Sequence, residues 1–153
     1  MGIQTNWLEL LRMSYQIAAI PRPLIDVVWS QVEPILQRVV DYVPNELSCE
    51  DIRTKLLIDD NLLLTISKGP NIVACAILEG IEISDRLNAL FVKALSGDDF
   101  DEWSEQLDTV LQALAKDFNC NQVRMAGIRK GWIKKLAPLG WAETYVIMTK
   151  EVA

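Results

Sequence analysis

The residue types available for chemistry are few, because this 153-residue sequence contains no histidine and only three cysteines. Without imidazole, the commonest general base, the Ser–His and Cys–His nucleophile pairs and the commonest zinc ligand are excluded. Cys49, Cys75 and Cys120 are odd in number and widely spaced, so they predict neither a disulfide framework nor a metal site. We expect reduced, mostly buried thiols. Any catalysis must therefore use Glu, Asp, Tyr, Lys or water.

A run of acidic residues lies near position 100. Five acids fall within eight residues with no basic residue among them: Asp98, Asp99, Asp101, Glu102 and Glu105. Carboxylates at the start of a helix cap its free N–H groups, and each contributes roughly 0.3–1 kcal/mol through the helix dipole. The run therefore predicts a solvated first helical turn.

A second concentration of charge is basic and surrounds an aromatic ring. Its members are Arg124, Arg129, Lys130, Trp132, Lys134 and Lys135. Basic residues interleaved with an aromatic ring can hold phosphate, but the exposed face of a short helix has the same composition. A solvated face is the main interpretation, and nucleic acid is the weakest. The second interpretation, which ranks between these two, is an acidic protein partner. It would bind Arg129, Lys130, Trp132 and Lys134.

Composition excludes several classes of protein. Half of the residues are hydrophobic, yet no run approaches the roughly 18 apolar residues of a membrane span. The opening segment carries Glu9 within its apolar part, so we expect no secretory signal there. A net charge of -6 and a pI near 4.7 argue against non-specific nucleic-acid binding. We expect a soluble protein of a reducing compartment.

The first twelve residues form a unit of their own, residues 1–12, ahead of a single domain at 13–153. Four apolar residues recur there at helical spacing: Ile3, Trp7, Leu10 and Leu11. This amphipathic arm either packs on its own domain, or lies upstream of a true start at Met13, or docks on a partner through those residues.

Hydrophobic periodicity predicts a mixed α/β domain in the remaining chain. Predicted strands lie at 15–20, 62–67, 72–83, 87–95, 122–128 and 141–150. Predicted helices are a pair within 24–43 divided at Pro34, a short helix capped by Ser48, a long helix over 100–118 and a short one over 131–140.

The order of these elements, together with the ending GWIKKLAPLGWAETYVIMTKEV, resembles the GCN5-related N-acetyltransferase (GNAT) family over residues 13–152. More narrowly, the combination of SCEDIRTKLL, NLLLTISKGPNIVACAILE, SGDDFDEWSEQLDTVLQALAKDFNCNQVRMAG and GWIKKLAPLGW resembles the small GNAT-like proteins of tailed bacteriophages. The resemblance implies an α+β fold, with a mixed, mostly antiparallel central sheet and helices on both faces, following a short N-terminal helical arm.

The resemblance also implies where a cofactor would bind. In the enzymes, a Gly-rich turn after the fourth strand holds the pyrophosphate of acetyl-CoA with backbone N–H groups at a helix start. The matching positions here are Leu95, Ser96, Gly97, Asp98, Asp99 and Phe100. They keep one glycine and are acidic, and each close pair of like charges opposes binding by on the order of 1–4 kcal/mol. We expect no cofactor, or acetyl-CoA if the chain is an enzyme.

For catalysis, the resemblance implies attack of an amine on a thioester, with a base that takes the amine proton and often a Tyr that protonates the thiolate. Leu136 stands where the family commonly carries that Tyr. Glu79 and Glu82 are candidate bases, and Tyr145 is a candidate hydroxyl. Surface carboxylates and a core or interface tyrosine are the simpler interpretations of these three residues.

Three hypotheses of function follow. The first is a non-catalytic structural or interaction protein, a minor virion or assembly component of a tailed bacteriophage. It would occur in the host cytoplasm and the virion and bind phage structural proteins or itself. The second is an acetyl-CoA-dependent N-acetyltransferase that acts on a small amine or a protein amine. The third is a regulatory phage protein that blocks a host factor.

Overall fold

A five-stranded sheet lies at the centre of the computed structural model, which describes residues 14–126 and 130–152. The strands cross the sheet in chain order. They are β1 Tyr15–Ala19, β2 Leu62–Lys68, β3 Asn71–Ser84, β4 Leu87–Gly97 and β5 Gln122–Met125. Strands β1 to β4 are antiparallel, whereas β5 runs parallel to β4. The predicted mixed, mostly antiparallel sheet is therefore confirmed.

Helices cover both faces of this sheet. They are α1 Ile25–Val40, α2 Cys49–Leu57, α3 Phe100–Asp117 and α4 Lys130–Leu136, with 3₁₀ turns at Arg22–Leu24 and Ala137–Leu139. Helices α1 and α2 share one apolar core with the sheet, and α3 shares the other. Because β4 and β5 are parallel, the chain needs a crossover between them, and α3 is that crossover.

Apolar stripes at helical spacing fix the two cores. On α1 the buried stripe is Ile25, Trp29, Val32, Leu36 and Val40. On α3 it is Phe100, Trp103, Leu107, Leu111 and Ala115. The short helix α2 begins as its sequence predicts, since the Ser48 hydroxyl accepts a hydrogen bond from the Asp51 backbone N–H at 3.0 Å.

The predicted division of the first helix at Pro34 is wrong, because α1 continues through this residue. A proline leaves the carbonyl of the residue four positions earlier without its helical donor. Here that carbonyl belongs to Ser30, and both Ser30 and Pro34 lie on the exposed side of α1, where water can hydrogen-bond to it. Buried Val32 and Leu36 meanwhile anchor the helix to the sheet.

The predicted last strand is also wrong, because residues 141–152 have no regular structure. Trp141 packs against the core, but the apolar side chains from Tyr145 to Met148 are exposed, from 64% for Tyr145 to 92% for Met148. Alternating residues form a strand only when a neighbouring strand pairs with their backbone. The Arg124 guanidinium of β5 lies 5.9 Å from the centroid of the Tyr145 ring.

Some predictions fall on other parts of the chain. The amphipathic arm with Ile3, Trp7, Leu10 and Leu11 lies outside the described residues. Within them, no helix combines the length and the apolar character needed to cross a membrane. Cys49 and Cys75 are buried free thiols, as predicted.

The end of β4 packs against β3 so closely that only glycine fits at position 97. Gly97 has a φ of +137°, and a Cβ there would collide with the Ala74 Cβ and the Val73 carbonyl oxygen. Substitution must therefore both strain and displace the backbone.

We predict that Gly97→Ala lowers the free energy of unfolding by on the order of 1–3 kcal/mol in urea denaturation. Gly80→Ala on β3 is the matched control, since nothing lies within 4 Å of a Cβ at that position. Equal effects of the two substitutions would contradict this account of Gly97.

Candidate active site

The central feature of the candidate site is the parting of β4 from β5. The two strands pair from Ala89 opposite Gln122 to Val92 opposite Met125. Beyond Val92, β4 continues to Gly97, and no described strand pairs with it on that side. A cleft therefore opens between two neighbouring strands inside the sheet.

A β-bulge stands where the strands part. Ile77 of β3 is opposite Ala94, and Leu78 is opposite Val92, so Lys93 is an extra residue without a partner on β3. A bulge bends its strand and increases the local twist, and bulges are common beside active sites. The bulge at Lys93 follows directly after the last β4–β5 pair, so it lies where the cleft begins.

The cleft has a volume of about 270 Å³ and three walls. One wall is the end of α1 and the loop after it, the second is β4 from Phe91 to Gly97, and the third is the end of β5 with Trp132 of α4. The lining is mainly apolar. Its charged residues are Glu46 and Lys93 among the described part of the chain.

The turn after β4 carries the predicted cofactor-binding residues and closes one end of the cleft. Leu95 and Ser96 are buried, and the Ser96 hydroxyl donates to the Ile35 carbonyl at 2.6 Å. The Asp98 N–H donates to the Val73 carbonyl at 3.0 Å. Helix α3 then begins at Phe100 after Asp99, which is in the left-handed region with a φ of 64°. Among the first N–H groups of α3, that of Glu102 donates to the Asp99 carbonyl at 2.8 Å; free N–H groups at a helix start are the kind that bind anions.

Groups from three other elements contact the acids of this turn. Arg38 of α1 pairs with Asp98 at 3.2 Å, and the Tyr15 hydroxyl of β1 donates to Asp99 at 2.7 Å. The Lys135 Nζ of α4 lies 2.9 Å from the Asp101 Oδ1, and the Asp101 side chain is 71% exposed. These exposed pairs add little stability, but two cations now offset part of the negative charge that the sequence places here.

Helix α4 lies against the start of α3 and uses part of the basic segment to do so. The Trp132 ring stacks on Phe100 with centroids 4.9 Å apart, and Leu136 is buried in the same core. Trp132, predicted to bind a partner, also lines the cleft. Lys134 is exposed, while Arg129 and the Lys130 side chain lie outside what the structure describes.

The three candidate catalytic residues are not brought together. Glu79 lies next to Lys93, which lines the cleft. The Glu79 Oε2 is 4.0 Å from the Lys93 Nζ. Glu82 lines a different cavity near the start of β2. Tyr145 is exposed in the irregular C-terminal segment. The structure therefore places one of the three next to the cleft.

Three chemically capable residues at the cleft were missed by the sequence analysis. Lys93 carried a signal, because it is the one charge within the apolar strand LNALFVKAL. Glu46 and Tyr42 also line the cleft. They lie in the loop after α1, where no local pattern indicates that the loop folds against β4. No group of three or more Cys, Asp or Glu in residues 14–126 and 130–152 is arranged to hold a metal ion.

Titration of Tyr15 tests the contact between β1 and the turn. Its hydrogen bond to the Asp99 carboxylate raises the pKa of Tyr15 to about 12, with burial and the charges of Asp99 and Glu102 acting in the same direction. A raised pKa means that this contact stabilises the fold up to the ordinary tyrosine pKa near 10 and is lost as the pH rises towards 12.

We predict that an ultraviolet difference titration of wild type against Tyr15→Phe shows one tyrosine ionising near pH 12. Asp99→Asn should lower this pKa, because it removes the charged acceptor. Tyr15 ionising at the ordinary tyrosine value in the wild type would show that the hydrogen bond does not form in solution.

Comparison with known proteins connects this geometry to a fold. No protein-family model matches the sequence, and no curated protein matches it. Solved structures do. A ribosomal-protein-alanine N-acetyltransferase from Brucella melitensis biovar Abortus 2308 matches with a TM-score of 0.67 and 13% identity, over 92% of this chain and 100% of that one.

Two further structures match similarly. An aminoglycoside acetyltransferase from an uncultured soil metagenomic sample, in complex with sisomicin, gives a TM-score of 0.68 at 11% identity, over 91% of this chain and 96% of that one. A predicted acetyltransferase from Clostridium acetobutylicum, in a structure with acetyl-CoA, gives a TM-score of 0.65 at 10% identity, over 90% of this chain and 96% of that one. The chain therefore has the fold of the GNAT acetyltransferases.

Proposed function

We propose that this protein is an acyl-CoA-dependent N-acyltransferase. The observation that carries the proposal is the cleft between β4 and β5, which opens at a bulge and ends at the start of a helix. Similar structures are acetyltransferases, and this favours the enzyme hypothesis of the sequence analysis over the non-catalytic one. A fold alone does not fix a function, so the site must support the chemistry.

The residues around the cleft fit an acyl-CoA. The first amides of α3 can hold phosphate oxygens as helix starts commonly do. The apolar lining suits the uncharged part of the cofactor. When bound, acyl-CoA would supply an activated thioester to an amine.

The cleft also contains groups for proton transfer. The Glu46 carboxylate lines it and can take the proton that an attacking amine must lose. The Tyr42 hydroxyl lines it too and can donate a proton towards a leaving thiolate. Tyr42 would then replace the family tyrosine, whose position is held by buried Leu136.

The acceptor in this proposal is an amine. Two of the similar proteins are named for amine-bearing substrates, an aminoglycoside and the alanine of a ribosomal protein. Glu46 at the cleft would favour a cationic amine as the approaching species. We therefore propose a small amine or a protein amine as the substrate.

A second candidate is a non-catalytic interaction protein, which the phage resemblance suggests. The observation in its favour is that Glu102 and Glu105 remain in the first turns of α3 without a recorded cation partner among the described residues. Negative charge at this place opposes a phosphate ligand. The exposed apolar residues at 145–148 would suit a protein contact.

Calorimetry with acetyl-CoA, followed by transfer of labelled acetyl to an amine panel, separates the two candidates. Binding in the micromolar range and a labelled amine product would support the enzyme. Binding without any product would support a regulatory use of the cofactor. Absence of binding at millimolar acetyl-CoA would contradict the proposal and favour the non-catalytic candidate.

We predict that Glu102→Gln tightens acetyl-CoA binding roughly two- to fivefold at low salt, because it removes about 1 kcal/mol of repulsion near the phosphates. The gain should shrink at high salt. Asp85→Asn, in the turn at the opposite end of β4, is the matched control. An equal gain from Asp85→Asn would show that net charge, and not this helix start, governs binding.

A further inference from the structure

Lys93 is an unusual residue for the middle of a strand. It is the bulged residue of β4, it lines the cleft, and its side chain is only 16% exposed. Lysine is rarely buried unless it is paired, because removing the ammonium group from water is unfavourable. A structural lysine would more simply extend to solvent, so the cleft position needs a reason.

The surroundings of Lys93 make its ammonium group easier to deprotonate than that of an exposed lysine. Burial lowers the pKa of the Lys93 ammonium, and Lys55 of α2 lowers it further, whereas Glu79 of β3 and Asp51 of α2 oppose the shift. The Glu79 carboxylate at 4.0 Å is close but not within hydrogen-bonding distance. A neutral lysine amine has a free lone pair and is a nucleophile, as in lysine-dependent enzymes.

We propose that Lys93 is itself an acyl acceptor, so that the protein acylates its own cleft; this rests on the proposed binding of acyl-CoA there. The Lys93 Nζ attacks the thioester carbonyl carbon, a C–N bond forms and the C–S bond breaks. The amine loses a proton to Glu79 or water, and the CoA thiolate leaves and is protonated. The products are an N-acyl lysine and free CoA.

Acylation would alter the site in two ways. It removes the positive charge next to Glu79, and it places an acyl group inside a cleft of about 270 Å³. The modified protein should therefore bind acyl-CoA more weakly than the unmodified one. Self-acylation is in this sense a regulatory step that follows from the position of the bulge.

Intact-protein mass spectrometry with peptide mapping tests the proposal on the full-length wild type incubated with acetyl-CoA. We expect acetylation at Lys93 to be roughly tenfold or more faster than at Lys116 of α3, because binding raises the effective concentration of the thioester. The rate should saturate with acetyl-CoA concentration. It should also level off at a pH below the ordinary lysine pKa.

Two variants complete the design. Lys93→Arg keeps the charge and should abolish the fast acetylation, whereas Lys116→Arg should leave it unchanged. If Lys93→Arg does not fold, peptide mapping of the acetylated wild type is enough to show whether Lys93 is the preferred acceptor. Calorimetry separates the two proposals. Binding of acetyl-CoA without preferential modification of Lys93 overturns this inference and leaves the proposed function standing, whereas absence of binding removes both.

Discussion

The site depends on one local feature of the sheet, the point after Val92 where β4 has no further β5 partner. Strand β5 pairs with β4 only from Gln122 to Met125, and beyond Val92 no described strand pairs with that side of β4. The bulge at Lys93 follows directly, and the rest of β4 lines the cleft together with the loop that follows α1. The cleft, its lining and Lys93 therefore meet at the place where the β4–β5 pairing ends.

Charge at the start of α3 is the second constraint on the site. It opposes the binding of a phosphate group at the end of the cleft. A helix start favours an anion, yet the sequence supplies carboxylates of its own there. The structure reduces this conflict by bringing Arg38 and Lys135 to the turn from opposite faces of the sheet. Phosphate binding would then depend on how far these two cations offset the remaining acids.

Much of the fold could be predicted, because local patterns determine it. The strands at 62–68 and 71–84 have β-branched apolar residues bounded by turn residues, and α3 has an unbroken apolar stripe. Two predictions failed for non-local reasons. Pro34 is tolerated because buried neighbours hold α1 on the sheet, and no strand of the described residues pairs with 141–152.

The candidate site was only partly predictable. The turn at Gly97 could be located, because the family resemblance marks the helix start that follows β4. Glu46 and Tyr42 could not, since they reach the cleft only through the packing of α1 on β4. Lys93 was visible as a charge in an apolar strand, but its bulge depends on the register with β3.

The most direct test of the whole account is a crystal structure determined after soaking or co-crystallisation with acetyl-CoA. We predict the thioester between β4 and β5 beyond Val92, with the diphosphate at the first amides of α3. A structure in which the cleft holds no coenzyme at millimolar concentration, or in which β4 and β5 remain paired to Gly97, would contradict it.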